Sequence, residues 1–332
     1  MHSDRFRALV VEEGTDGSFI QSIKERNIAE LPPGEVLVRV AYSSLNYKDA
    51  LSASGNRAVT KTYPHTPGID AAGTVVESSA SALRPGDAVI VTSYDLGMNT
   101  PGGFGQYIRV PSSWVVPLPA GLTLKESMIL GTAGLTAGLS VAKLMTAVSP
   151  TQGPVLVTGA TGGVGSVAVA ILARLGYEVV AVSGKPDAES YLQGLGVKEV
   201  IGRDQLADHG DRPLLKVRWA GVIDTVGGGM LAAAIKSTKP GGLVTCCGNV
   251  ASAELNLTVY PFILRGITLA GIDSQGCPMG LRQKVWDSLA DAWKFSGLET
   301  LCQLSTLEEL SGHIEAMLQG RLKGRIVVDL NG

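Results

Sequence analysis

The chain has 332 residues and a formal charge of −2; this length exceeds one ordinary core, so two domains are expected. Hydrophobic residues make up 45% and charged residues 17%, which excludes disorder and coiled coil, and 42 glycines beside 5% aromatics favour an α/β protein with many tight turns. The near-neutral charge and a pI near 6.1 offer no basic footprint for nucleic acid or an anionic membrane.

The first third reads as β-rich. Glu35 to Val40 alternates polar and apolar residues, as a half-buried strand does. Turn signals follow at Pro67-Gly68, Pro85-Gly86-Asp87 and Pro101-Gly102-Gly103, with short apolar runs such as Ala88 to Val91 between them. Many short strands at this spacing predict a barrel-like β domain. From about Thr123 strands alternate with helices: Val155 to Thr158, then a helix over Val164 to Leu175, then strands at Glu178 to Val182, Gly221 to Asp224, Gly242 to Thr245 and Ile267 to Ala270. This alternation predicts βαβ units around a parallel sheet. Gly324 to Leu330 reads as one more strand. The uncharged stretch Leu144 to Ala173 has the length of a membrane span, but Pro150, Pro154 and five glycines make it loop, strand, turn and helix. The start of the chain does not read as a secretory signal. Cys246, Cys247, Cys277 and Cys302 form no C-x-x-C pair and read as free thiols of a cytoplasmic protein.

The most informative motif is Val155-Leu156-Val157-Thr158-Gly159-Ala160-Thr161-Gly162-Gly163-Val164-Gly165-Ser166. Ala160, Gly162 and Gly165 occupy the three small-residue positions of a dinucleotide turn, between a strand and a helix whose positive end faces phosphates. The second strand ends in Ser183-Gly184-Lys185 with no acid to bind ribose hydroxyls. Ser183 and Lys185, with Arg203 at the expected end of a third strand, suit the 2′-phosphate of NADPH; the alternative is that both cations are merely solvated. Asp187, after Pro186, reads as helix-terminus chemistry.

Together with Leu45-Asn46-Tyr47-Lys48-Asp49, Pro67-Gly68-Ile69-Asp70, Gly102-Gly103-Phe104-Gly105, Leu130-Gly131-Thr132-Ala133-Gly134, Ile223-Asp224-Thr225-Val226-Gly227 and Gly271-Ile272-Asp273-Ser274, the chain resembles the medium-chain dehydrogenase/reductase superfamily over its whole length. It is most similar to the zinc-free, quinone oxidoreductase-like group that includes NADPH-dependent acrylyl-CoA reductases. The resemblance implies a GroES-like β-barrel domain over residues 1–123 and 303–332, a Rossmann doubly wound domain over 124–302, and a homodimer. It also implies that Tyr47 lies beside the nicotinamide. Thr161, Gly162, Gly163, Val164, Ser183, Gly184, Lys185, Arg203 and Ser274 then line the cofactor, with Asn249 and Ile263 near further cofactor positions.

Zinc-dependent members carry metal ligands where this chain has Ser43 to Asn46 and Gly68 to Asp70, and the four histidines, His2, His65, His209 and His313, have no ligand spacing. A metal-free reduction is therefore expected: hydride to the β-carbon of acrylyl-CoA and a proton to the α-carbon, giving propanoyl-CoA. The alternatives are reduction of a quinone or enone, and a non-catalytic NADPH-binding protein. Tyr47, a phenol, is the candidate donor, with its neighbours Asn46 and Asp49 orienting or solvating the pocket; without the resemblance, a core aromatic is at least an equal reading of Tyr47. Asp70 reads either as a pocket residue or as a turn residue bonding the backbone. His65 reads as a turn residue before Pro67. Arg57 and Lys61 are candidates for the coenzyme A phosphates or a solvated loop.

Overall fold

The structure, a computed structural model, describes residues 4–206 and 212–331. Two compact units share the chain: Met1–Thr132, Gln275–Ala290 and Leu298–Gly332 form the first, and Ala133–Ser274 with Asp291–Gly297 the second.

In the first unit, β1 (Arg5–Glu13) and β2 (Phe19–Asn27) make an antiparallel pair. Strands β3 (Val36–Leu45), β4 (Asp70–Ser78), β5 (Ala88–Thr92), β6 (Tyr107–Val110) and β7 (Val115–Pro117) build most of a second sheet, and α1 (Tyr47–Ala53) follows β3. β3 was expected to be half-buried, yet Val36, Leu37 and Val38 are each at most 1% exposed. Both of its faces are covered. Val36, Val38 and Val40 join the main core with Leu9, Val11 and Phe104, while Leu37 packs with Phe6, Ala8, Val10 and Tyr107. Periodicity shows that a strand has two faces; it does not show that β1 supplies apolar side chains to both cores.

Helix α2 (Leu124–Met145) has the length and apolar character of a membrane span, but 78% of its apolar window is buried in the protein. It is two helical pieces joined at Gly131, whose φ of 53° and ψ of −154° break the helix. The compact units divide just after this kink, at Thr132/Ala133, rather than at residues 123/124. The reason is local: Thr132 is bonded to Asp70 of the first unit through both its amide and its hydroxyl.

The second unit contains β8 (Val155–Val157), α3 (Gly163–Arg174), β9 (Val179–Val182), α4 (Ala188–Gly194), β10 (Glu199–Ile201), α5 (Arg203–Leu206), β11 (Trp219–Asp224), α6 (Gly228–Lys236), β12 (Thr238–Cys246), α7 (Tyr260–Arg265) and β13 (Thr268–Gly271). The six strands run β10-β9-β8-β11-β12-β13, all parallel. This is the doubly wound order, whose direction of winding reverses between β8 and β11. Leu156, Val180, Val182, Val222 and Val244 fill its core with Ala233, Ala234 and Ile235 of α6.

The chain then returns to the first unit through α8 (Met279–Ala290), β14 (Cys302–Ser305), α9 (Leu310–Leu318) and β15 (Arg325–Asp329). The return begins earlier than residue 303 because α8 is anchored there: Arg282, fully buried, donates to the Thr92 carbonyl and hydroxyl at 2.9 Å each. β15 pairs antiparallel with β3, and the second sheet is ordered β14-β15-β3-β4-β5-β7 with β6 on β3.

Candidate functional site

In the second unit the glycine turn connects β8 to α3. A Cβ on Gly165 would lie 2.3 Å from the Gly159 carbonyl oxygen, so helix and strand approach closer there than any side chain permits. Gly162 is the N-cap of the twelve-residue α3 and no side chain caps it. Thr161, Gly162, Gly163 and Val164 therefore surround helix-terminal N–H groups suited to a pyrophosphate. Past the carboxyl ends of β11, β12 and β13 lies a cavity of about 680 Å³ lined by Gly227, Cys247, Gly248, Asn249, Ile272 and Asp273, among others; doubly wound sheets bind ligands at these ends. Burial pushes the thiols of Cys246 and Cys247 up, the latter to about 12, which keeps them protonated.

The residues expected around the 2′-phosphate converge. Ser183 N–H donates to the Ile201 carbonyl at 3.1 Å, joining the ends of β9 and β10, and Lys185 N–H donates to Ser183 Oγ at 3.2 Å. Arg203, the first residue of α5, packs on Gly184: a Cβ there would stand 2.8 Å from Arg203 Nε. Ser183, Gly184 and Arg203 thus form one patch. Asp187 is at the helix terminus as expected, as the N-cap of α4, although its backbone is left-handed and its side chain makes no cap hydrogen bond. Ser274 Oγ accepts from Thr136 Oγ1 at 2.9 Å. Asn249 is exposed at the cavity rim, and Ile263 is 67% exposed on α7.

In the first unit, Tyr47 is the first residue of α1 and is 40% exposed, so it is not a core aromatic. Its neighbour Asn46, the N-cap, turns its side chain inward. Asn46 Nδ2 donates to Asp70 Oδ2 at 2.7 Å and to the Ser44 carbonyl at 3.2 Å, while Asn46 Oδ1 accepts from Arg325 Nη1 at 3.1 Å. Asp70 is fully buried at the start of β4, not in a turn. Its carboxylate accepts from Ser44 Oγ at 2.6 Å, from the Thr132 amide at 3.0 Å and from Thr132 Oγ1 at 2.6 Å, and Arg325 Nη2 stands 3.6 Å away. Arg325 Nε donates to the Ile129 carbonyl at 3.0 Å. The kink in α2 frees a carbonyl and an amide, and Arg325 takes the first as Asp70 takes the second. Gly131 makes this possible, since a Cβ there would lie 2.4 Å from Asp70 Oδ2.

Asp49, also fully buried, accepts from the backbone N–H of Asn46 at 2.7 Å and of Ile69 at 2.8 Å. Burial, and then the charge of Asp70, push its carboxyl up to about 7. Sequence reasoning missed Arg325, Thr132 and the burial of Asp49 beside Asp70, because these residues meet only through tertiary contacts.

Two expectations change. His65 is buried in a backbone bridge with Val11, and burial lowers its imidazole below the usual range. Arg57 is held by Glu13 at 2.6 Å and lies over the rings of Phe19 and Tyr63 with its side chain half-exposed, so it is paired within its loop rather than simply solvated. His2 and His209 lie outside the described residues.

Two family models match the chain: "Alcohol dehydrogenase GroES-like domain" over residues 32–120 and "Zinc-binding dehydrogenase" over 163–292. The zinc in that description does not fit this donor set. Among the described residues no three His, Cys, Asp or Glu side chains group to hold a metal, and Asn46, Ser44 and Asp70 already bond one another and the Arg325 guanidinium.

The putative quinone oxidoreductase YhfP of Bacillus subtilis is 45% identical over 99% of this chain and 100% of its own; its crystal structure with NAD bound matches with a TM-score of 0.96. The acrylyl-CoA reductase AcuI of Ruegeria pomeroyi is 44% identical over 98% of this chain and 99% of its own. The yhdH oxidoreductase of Salmonella enterica, crystallised with NADP, is 41% identical, with a TM-score of 0.95 over 98% of this chain and 100% of its own. With a GroES-like unit, a doubly wound unit and full-length relatives of this kind, the chain belongs to the medium-chain dehydrogenase/reductase superfamily, in its quinone oxidoreductase-like group.

Proposed function

We propose that the protein is a metal-free, NADPH-dependent reductase of the conjugated C=C bond of acrylyl-CoA. The observation that carries the cofactor choice is the patch of Ser183, Gly184 and Arg203, with Lys185 beside it and no acid at the end of β9. NADPH, when bound, supplies the hydride. The chain's own residues do the rest: the α3 N-terminus and the glycine turn hold the pyrophosphate, and Arg203 and Lys185 neutralise the 2′-phosphate. Ser274, the exposed Asn249 and Ile263, at 67% exposure, are proposed as further cofactor contacts. Tyr47, half-exposed at the start of α1, is the proposed donor of the α-carbon proton. Asn46 and Asp70, bonded to each other and to Arg325, Ser44 and Thr132, serve that helix start as its frame.

The 44% identity to AcuI supports the thioester and the 45% identity to YhfP supports a quinone as the second reading. A panel of acrylyl-CoA, longer enoyl-CoA esters and benzoquinones, read by NADPH consumption, decides. Saturation at low acrylyl-CoA is expected; brisk turnover of quinones alone reverses the assignment.

We further propose a cytoplasmic homodimer. β13 is an edge strand of the six-stranded sheet, and α7, beside it in sequence, with its N-cap Val259, exposes Val259 by 63%, Ile263 by 67% and Leu264 by 62%. An open strand edge near bare apolar side chains is a surface that a second copy covers. Light scattering should give twice 34.5 kDa, and Ile263→Asp should shift the mass towards one chain. A monomeric wild type at micromolar concentration refutes the dimer.

A further inference from the structure

We propose that Arg325 is a positioning residue of the active site, holding the Asn46 side-chain amide in one orientation and, through it, the helix start that presents Tyr47. The inference rests on the reading of Tyr47 as part of the reacting site.

The geometry is specific to a guanidinium. Arg325 is 3% exposed, and its three nitrogens reach five acceptor groups. Nε bonds the Ile129 carbonyl at 3.0 Å, Nη1 the Leu45 carbonyl at 3.3 Å and Asn46 Oδ1 at 3.1 Å, and Nη2 Ser44 Oγ at 2.8 Å, with Asp70 Oδ2 at 3.6 Å. A lysine ammonium is a single point with three donors and cannot span the Ile129 carbonyl and Asn46 together. Asn46 is gripped at both ends of its amide. Its oxygen faces the cation and its nitrogen faces Asp70, so a flipped amide would set like against like at both contacts. Asn46 N–H is fixed in turn by Asp49 Oδ2 at 2.7 Å. Asn46 itself is 9% exposed and the next residue, Tyr47, is 40% exposed. The cluster thus runs from a buried cation to the exposed aromatic in one connected set of bonds.

The disagreement with zinc has the same origin. The segments that carry metal ligands in zinc-dependent relatives hold Asn46, Ser44 and Asp70, and the positive charge among them is a guanidinium supplied by β15. This cation touches no exposed surface, so it orders the frame rather than polarising a substrate.

The test is a double-mutant cycle on the full chain with Arg325→Lys and Asn46→Ala, measured for kcat and KM on acrylyl-CoA and on 1,4-benzoquinone. Arg325→Lys should lower kcat roughly ten- to a hundred-fold on whichever substrate the wild type turns over, with the KM for NADPH changed less than about threefold. In the Asn46→Ala background the same substitution should change kcat by less than about twofold, because its effect passes through Asn46. A second readout needs no substrate: in protein labelled with ¹⁵N-asparagine, the Asn46 amide protons, assigned by their loss in Asn46→Ala, should exchange slowly with water and become fast in Arg325→Lys. Ser44→Ala, which keeps the guanidinium and removes one tie, should shift both readouts in the same direction by less, and serves if Arg325→Lys does not fold. Wild-type kcat in folded Arg325→Lys, full additivity in the cycle, or unchanged amide exchange would overturn the proposal. A wild type that turns over neither substrate rejects the functional reading instead, and the exchange measurement still decides the role of Arg325.

Discussion

Arg203 rests directly on Gly184, with Nε 2.8 Å from where a Cβ would stand. The glycine thus does more than turn the chain at the end of β9; it makes room for a cation beside Ser183. Replacing it with alanine should push Arg203 out of the patch. Gly184→Ala, Lys185→Ala and Arg203→Ala should each reduce the preference for NADPH over NADH. A charged hydrogen bond to a phosphate is worth roughly 1.5–3 kcal/mol, or about one to two decades of affinity. Binding titrations with both cofactors check this; an unchanged ratio in Lys185→Ala and Arg203→Ala would remove both from the phosphate site.

Metal analysis of the purified protein should show no stoichiometric zinc, and chelators should leave activity intact. The argument is the donor set. Asn46 and Ser44 are poor zinc ligands, and Asp70 is saturated by Ser44, Asn46 and Thr132 with Arg325 alongside. One tightly bound zinc per chain would contradict it.

Asp49 makes stability depend on pH with an unusual sign. Its carboxyl rises from 3.8 to about 7 on folding, through burial and the neighbouring Asp70 charge. In that window the folded chain binds more protons than the unfolded chain, so this group's contribution is fully present below about pH 4 and is lost as pH rises towards 7. The difference in unfolding free energy between wild type and Asp49→Asn, from denaturant titrations, should therefore fall across that interval and flatten above it. A difference that grows with pH would show Asp49 to be an ordinary stabilised carboxylate.

The dinucleotide turn and the strand–helix alternation were legible because their determinants are local: small residues at fixed spacing and apolar runs of strand length. The patch of Ser183, Gly184 and Arg203 was legible in part, since the strand end carries its own chemistry, although the packing of Arg203 on Gly184 joins two different strand ends. The Asp70 cluster was not legible. Asp70 shows as a carboxylate near a Pro-Gly turn, and nothing near it in sequence says that β15 brings Arg325 to it or that a kinked helix brings Thr132. Gly131 is one of three glycines in the run that forms α2, with Gly134 and Gly138, and its packing reason appears only when Asp70 Oδ2 is found 2.4 Å from its missing Cβ. The ion pair of Arg57 was not legible either, because its partner Glu13 belongs to the distant strand β1.

The reaction itself is tested at Tyr47. It follows Asn46 at the exposed start of α1, and it is the proposed proton donor. If it protonates the α-carbon, deuteride from labelled NADPH should appear only at C3 of propanoyl-CoA and the new C2 hydrogen should come from solvent. Tyr47→Phe keeps the ring and removes the acid. It should lower kcat by roughly ten- to a thousand-fold with NADPH affinity little changed, the lower end applying if water protonates the enolate unaided. The bonds of the frame are made by Ser44, Asn46, Asp49, Asp70 and Arg325, so the variant should keep the wild-type melting temperature. Full activity in Tyr47→Phe would remove the donor role and leave the reductase standing. Deuterium at C2 would mean that hydride does not reach the β-carbon, and the conjugate reduction itself would fall.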